Sequence, residues 1–304
     1  DLIEALAFAK ENNVSFFILG GGSNILVSDD GFRGLVIKME MKGIEFVENG
    51  DMVRVTTMAG EDWDNFVDKC VERGLYGVEN LSLIPGTVGA APVQNIGAYG
   101  SEVKDTVESV RVFDTQDGKF KNILNTSCGF EYRNSLFKKE KGRYIIVYVC
   151  FVLRKNGKLN IEYKDIQEYF SLKKPSLDEV REAVIEIRTR KLPDVKKIGT
   201  AGSFFKNPII SHLQANELEK RFPGMVFYPF SDQYVKVSLA WILDHVCDYR
   251  GKTEWNVGTY KNQALVIVNN GNATAIEVIN FAENIKKIVK EKTGIDIEEE
   301  VEIC

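Results

Sequence analysis

The residues of this 304-residue sequence best suited to chemistry are the ones that strip the backbone bare. Residues 83–100 read Leu-Ile-Pro-Gly-Thr-Val-Gly-Ala-Ala-Pro-Val-Gln-Asn-Ile-Gly-Ala-Tyr-Gly, with one adjacent polar pair, Gln94 and Asn95. Glycine tolerates positive φ and lets a ligand approach main-chain N–H groups. A stretch without charge is no solvated linker. It suits main chain wrapped around a large, partly apolar, phosphate-bearing molecule. A second run, Gly20, Gly21, Gly22, Ser23 and Asn24, fits either an ordinary hairpin turn or a second ligand-holding turn. Two glycine-lined turns together suit a diphosphate with two bulky ends.

Charged and hydroxyl candidates are weaker when taken one at a time. Residues 188–197 hold Arg188, Arg190, Lys191, Lys196 and Lys197 against Asp194 alone, a local charge of +4. That is an anion site or a solvated helix end favoured by the helix dipole. Ser203 follows Gly202 and precedes Phe204 and Phe205, and a helix cap is the commoner role for such a serine. Glu298, Glu299, Glu300 and Glu302 read as a solvated acidic edge strand. Tyr132 with Arg133 is an aromatic–cation pair of no diagnostic spacing.

These residues need elements to position them. Strands are expected at 15–19, 25–27, around Val53 and Val55, around Val110 and Val112, and along the apolar run 144–153. Strand, glycine turn, strand is not the dinucleotide-binding arrangement, whose glycines open a helix. Helical spacing marks Trp63, Phe66, Val67 and Cys70. Capping-box pairs, Ser176 with Glu179 and Thr274 with Glu277, open two further helices, and Gly294 sits where a C-cap belongs. Residues 295–303 alternate like a strand. The class is α+β, with a domain boundary near 191–193.

Bulk properties exclude several functions. At 44% hydrophobic the chain can bury a core and divide into two or three domains. A net charge of −5 argues against a general nucleic-acid binder. The run 144–153 is too short to span a bilayer. Five scattered cysteines without CxxC spacing point to reduced thiols of a cytoplasmic protein, and His212 and His245 are too few for a histidine metal centre.

Read in order, Gly-Gly-Gly-Ser-Asn at 20–24, Ile-Pro-Gly-Thr-Val-Gly at 84–89, Gln-Asn-Ile-Gly-Ala-Tyr-Gly at 94–100, Tyr-Arg-Asn-Ser at 132–135, Lys-Leu-Pro-Asp at 191–194, Ala-Gly-Ser-Phe-Phe-Lys-Asn-Pro at 201–208 and Glu-Val at 300–301 form a recognisable set. The set resembles the UDP-N-acetylenolpyruvoylglucosamine reductase family, type I branch, essentially from end to end. The resemblance implies two FAD-binding subdomains of the vanillyl-alcohol-oxidase (PCMH) type, at 1–38 and 39–190. It also implies an α+β substrate-binding domain at 191–304 whose last segment returns to the flavin. The implied reaction reduces UDP-N-acetylglucosamine enolpyruvate to UDP-N-acetylmuramate for bacterial peptidoglycan, with noncovalent FAD and with NADPH as hydride donor. A cytoplasmic monomer is implied, with no metal, nucleic acid or membrane partner.

The same resemblance assigns roles. FAD would be held by Gly20, Gly21, Gly22, Ser23, Asn24 and Ile25, by Pro85, Gly86, Gly89 and Ala90, and by Gln94, Asn95, Ile96, Gly97 and Tyr99. Hydride would pass from flavin N5 to the enolpyruvyl β-carbon, and Ser203 would protonate the α-carbon. Arg133 and Glu300 would stabilise the enolate-like anion, Glu300 from a protonated or shared-proton state. Tyr163, Lys191, Asn207, Tyr228, Lys236 and Gln263 would hold the nucleotide-sugar. Three departures stand out: the family's N-terminal strand with its Asn-Thr-x-Gly motif is absent before Asp1, so a fragment is expected; Trp255, Asn256 and Val257 replace a Gly/Ala-rich turn; and with Cys304 barely past Glu300 a short closing strand is expected. Competing readings are another FAD-dependent oxidoreductase of this fold and a catalytically silent flavin or nucleotide-sugar binding protein.

Overall fold

The computed structural model describes residues 1–171 and 174–304. Two compact units emerge: residues 1–22 with 33–188, and residues 23–32 with 189–304.

In the first unit the apolar run becomes the central strand, Tyr144–Arg154, of a five-stranded antiparallel sheet. The order is Ile44–Asn49, Met52–Met58, Tyr144–Arg154, Val107–Asp114, Lys119–Leu124. β-Branched and aromatic side chains pack well on a pleated surface, and Val149, Phe151 and Leu153 are fully buried there. Helix Trp63–Glu72 lies against this sheet because its apolar positions recur every three to four residues. Phe66 stacks 4.6 Å from Phe151 and Trp63 6.0 Å from it, while the Trp63 indole N–H donates to the Leu81 carbonyl at 2.8 Å. Asp62 starts the helix by accepting from the Asn65 amide at 2.9 Å. Helix Leu177–Lys191 opens on the expected pair, with the Ser176 amide on Glu179 at 2.8 Å and the Glu179 amide on Ser176 Oγ at 3.3 Å.

The strands flanking the run 20–24 do not pair with each other, which removes the hairpin reading. Phe16–Leu19 runs parallel to Leu35–Lys38 in the first unit. Ile25–Leu26 runs parallel to Glu302–Ile303 in the second.

The second unit holds a four-stranded antiparallel sheet, Gly199–Ser203, Gln263–Asn269, Val257–Tyr260, Thr253–Glu254. A three-stranded sheet joins Ile209–Ser211, Tyr234–Val237 and Phe227–Pro229. Helix Ala275–Thr293 has the full Thr274–Glu277 capping box and ends on Gly294 at φ +77°. It buries Val278, Phe281, Ala282, Ile285 and Val289. The expected C-terminal strand is regular only at Glu302–Ile303. Before it, burial alternates as expected (Ile295 and Ile297 in, Asp296 and Glu298 out), but pairing reduces to a bridge between Phe205 and Glu299. Trp255 and Asn256 form a two-residue hairpin turn, with Trp255 at φ +56° and almost wholly exposed. No disulfide joins any of the five cysteines, and no helix among the described residues is long and apolar enough to cross a membrane.

Phe151 joins the helix to the sheet of the first unit, so Phe151→Ala should cost ~3–5 kcal/mol of unfolding free energy in urea titrations. A loss near zero would show that this cluster does not hold the unit together.

Candidate active site

The two glycine runs meet backbone to backbone. A Cβ on Gly21 would lie 2.8 Å from the Gly86 Cα, so no other residue lets these turns approach so closely. Among the described residues, the amides of Gly20, Gly21, Gly22, Gly86 and Thr87 donate to no protein acceptor. The Thr87 Oγ1, buried within the same turn, also has no partner. Bare amides plus one hydroxyl are the donor set a diphosphate requires, so these residues fit an FAD pyrophosphate. Sequence reasoning misses Thr87, because it stands among glycines whose bare backbone carries the signal by itself.

Further along the loop, side chains hold the main chain in place. Asn95 is fully buried at φ +45°, and its amide donates to Glu102 Oε2 at 2.9 Å and to the Glu131 carbonyl at 3.1 Å. Its Oδ1 accepts from the Lys104 amide at 3.1 Å. The Asn95 side chain is therefore spent inside the protein, and what it offers a cofactor is the shape it gives the loop. Gln94 is half-buried beside it, Gly89 donates its amide to the Ala59 carbonyl, and Ile96 is buried with its amide on the Ala91 carbonyl. Pro85 and Ala90 are exposed.

Arg133 reaches this loop, donating from Nη2 to the Gly97 carbonyl at 2.9 Å, with its guanidinium 5.4 Å from the Tyr132 ring. Tyr99 packs edge-on against Tyr163, the centroids 5.4 Å apart. Leu83, Asn95, Tyr99 and Arg133 all adopt left-handed backbone conformations, which cost of order 1–3 kcal/mol each and concentrate where a structure over-determines them for a purpose. In the first unit, then, the structure brings Gly97, Tyr99, Arg133 and Tyr163 together.

Behind the loop stands an ion pair. Arg181, 8% exposed, donates to Asp64 at 2.7 and 3.1 Å and to Asp68 at 3.0 Å. Burial pushes the Asp64 carboxyl up, but the Arg181 guanidinium and the Leu83 amide outweigh it and hold the group below the ordinary carboxylate range.

The second unit assembles another set of predicted residues. Gly202, at φ +82°, lets strand Gly199–Ser203 bulge before Ser203 pairs with Val266. Ser203 thus sits half-buried at a strand end and caps no helix. The Glu300 amide donates to the Phe204 carbonyl at 2.8 Å, which places Glu300 on the segment beside Ser203. Asn24 Nδ2 donates to the Glu300 carbonyl at 3.1 Å and the Glu302 amide to the Asn24 carbonyl at 3.1 Å. Ile25 lies opposite Glu302, and Ser23 is half-buried one residue before Asn24. The acidic run is not uniformly solvated: Glu298 pairs with Lys206, Glu299 with Lys286, and Glu300 is half-buried.

Tyr228 and Lys236 are direct cross-strand partners, so their side chains share one face of the small sheet. Asn207 accepts from the Leu239 amide at 3.0 Å. Asn262 donates to the Arg190 carbonyl at 2.9 Å, joining the neighbours of Gln263 and Lys191. Among the described residues no group of three or more His, Cys, Asp or Glu could hold a metal.

Comparison with known proteins places this geometry in context. Residues 1–123 match the model for an FAD binding domain. Residues 193–304 match the model for the C-terminal domain of UDP-N-acetylenolpyruvoylglucosamine reductase. The chain is 44% identical to the UDP-N-acetylenolpyruvoylglucosamine reductase of Flavobacterium johnsoniae, over 99% of this chain and 90% of that protein. It is 42% identical to the one from Pseudomonas aeruginosa, over 99% and 89%. The solved structure of the Thermus caldophilus enzyme of that name shares the fold, with a TM-score of 0.66 at 23% identity, covering 98% of this chain and 89% of that one.

The depressed Asp64 carboxyl makes a pH prediction. A group whose folded-state pKa lies below its unfolded value stabilises fully above the unfolded value and stops doing so as pH falls through the folded one. The stability gap between wild type and Asp64→Asn should be constant above about pH 5 and shrink below about pH 4. A gap that stays constant down to strong acid would contradict the pairing.

Proposed function

The chain belongs to the UDP-N-acetylenolpyruvoylglucosamine reductase family, and we propose that it reduces UDP-N-acetylglucosamine enolpyruvate to UDP-N-acetylmuramate, using FAD with NADPH as hydride donor. The observation that carries this reading is the adjacency of Ser203 and Glu300 on neighbouring backbone segments, bonded through Phe204. FAD, when bound, supplies the hydride taken from NADPH and delivered to the enolpyruvyl β-carbon.

The remaining steps belong to the chain. As the C–H bond forms at the β-carbon, negative charge spreads onto the substrate carboxylate. Arg133 stabilises that charge with its guanidinium, and Glu300 does so by donating a hydrogen bond. One such preorganised donor is typically worth ~2.7–4 kcal/mol of barrier. Ser203 then gives its hydroxyl proton to the α-carbon, and solvent or a neighbour returns a proton to its oxygen. Lys191, Lys236 and Tyr228 hold the diphosphate, Asn207 and Gln263 the rest of the nucleotide-sugar, and Tyr163 closes over it.

The cofactor is held by residues 20–25 and by Pro85, Gly86, Gly89, Ala90, Gln94, Asn95, Ile96, Gly97 and Tyr99, with Thr87 added to them. The division into parts 1–38, 39–190 and 191–304, a cytoplasmic site of action and a monomeric state complete the reading.

The test separates the two half-reactions by stopped flow. Ser203→Ala should keep flavin reduction by NADPH within about twofold of wild type while slowing reoxidation by the enolpyruvyl substrate ~10²–10⁴-fold. Equal slowing of both would remove Ser203 from the proton-donating role.

A further inference from the structure

Leu83 opens the cofactor loop at φ +56°. A leucine holds that conformation only where its surroundings over-determine it. Here its amide donates to Asp64 Oδ1 at 2.5 Å and its carbonyl accepts from Arg188 Nε at 3.2 Å. Asp64 is in turn gripped by Arg181 through two bonds, and Arg181 is anchored by Asp68.

The far end of the loop is fastened in the same manner. Tyr99, at φ +48°, accepts at its carbonyl from Asn80 Nδ2 at 2.8 Å, and its side chain lies beside the Arg188 guanidinium. Asn80 is itself 1% exposed. Arg188 therefore bonds residue 83 and lies beside residue 99. It lies on helix Leu177–Lys191, seven residues after Arg181, so the two arginines leave one face of that helix about two turns apart. The loop interior is held by its own turns and by Asn95, while its left-handed ends meet this helix face at Leu83 and beside Tyr99.

We propose that Arg188, together with the Asp64–Arg181 pair, is a latch that positions the 83–100 loop for FAD by locking Leu83 and Tyr99 in their left-handed conformations. The proposal rests on the reading of that loop as the FAD site. These are positioning residues, acting through backbone they hold. In the unlatched chain the binding-competent loop is only one of several populated forms, and apparent affinity falls by the fraction lost.

The test uses the full chain freed of flavin, with Arg188→Gln, Arg188→Lys and, as control, Arg190→Gln from the exposed end of the same helix. Two quantities are read: FAD dissociation constant by flavin fluorescence, and amide hydrogen exchange of the flavin-free proteins. Arg188→Gln should weaken FAD roughly tenfold and speed exchange within residues 83–100 alone. Arg188→Lys, which keeps one cationic donor, should fall between it and wild type, and Arg190→Gln should match wild type. Affinity within about twofold of wild type, or exchange speeded across the whole first unit, would overturn the latch. A wild-type chain that takes up no FAD would instead refute the reading of the loop, while the exchange data would still decide whether Arg188 holds it.

Discussion

The first unit depends on holding a stretch of backbone, residues 83–100, whose left-handed ends are fastened from outside it. A ligand-binding turn needs its amides free and its side chains absent, and both conditions remove stabilisation. Glycine loses more entropy on ordering than any other residue, and an unpaired amide forfeits a hydrogen bond. The loop 83–100 therefore adds bonds from outside to its own turns. Helix Trp63–Glu72 shows how: Trp63 and Phe66 face the sheet, while Asp64 and Asp68, four residues apart, face Arg181. One helix thus couples the aromatic core to the Leu83 amide.

The second unit brings together a hydroxyl and a carboxylate drawn from remote parts of the chain. The Gly202 bulge turns Ser203, and the backbone bond from Glu300 to Phe204 brings the C-terminal segment alongside. Residues 23–32 leave the first unit to join this one, where Asn24 fastens the Glu300 carbonyl. Asn24, proposed as a flavin contact, has a main-chain task as well.

Local features are legible in the amino-acid sequence itself. The Thr274–Glu277 box, the spacing of Trp63, Phe66, Val67 and Cys70, and the run 144–153 each carry their own physics within a few residues. Pairing is not legible there. Nothing in the period of Ile25 and Leu26 says that they lie beside Glu302 and Ile303, because a two-residue parallel bridge leaves no pattern. Arg188 sits within a basic cluster whose composition equally suits a solvated helix end, and only its bond to Leu83 separates it from Arg190. The partners of Asn95 are equally hidden from the sequence: Glu102, Glu131 and Lys104 bond its side chain, and the spacing of these residues does not announce it.

The central claim is that bare backbone at 20–22 and 86–87 holds a flavin that NADPH reduces and the sugar enolpyruvate reoxidises. The absorption spectrum of the purified chain, recorded as isolated, after NADPH and after the enolpyruvyl substrate, tests it most directly. The account predicts flavin bands that bleach with NADPH and return with the substrate. A colourless protein that takes up no added FAD would contradict it.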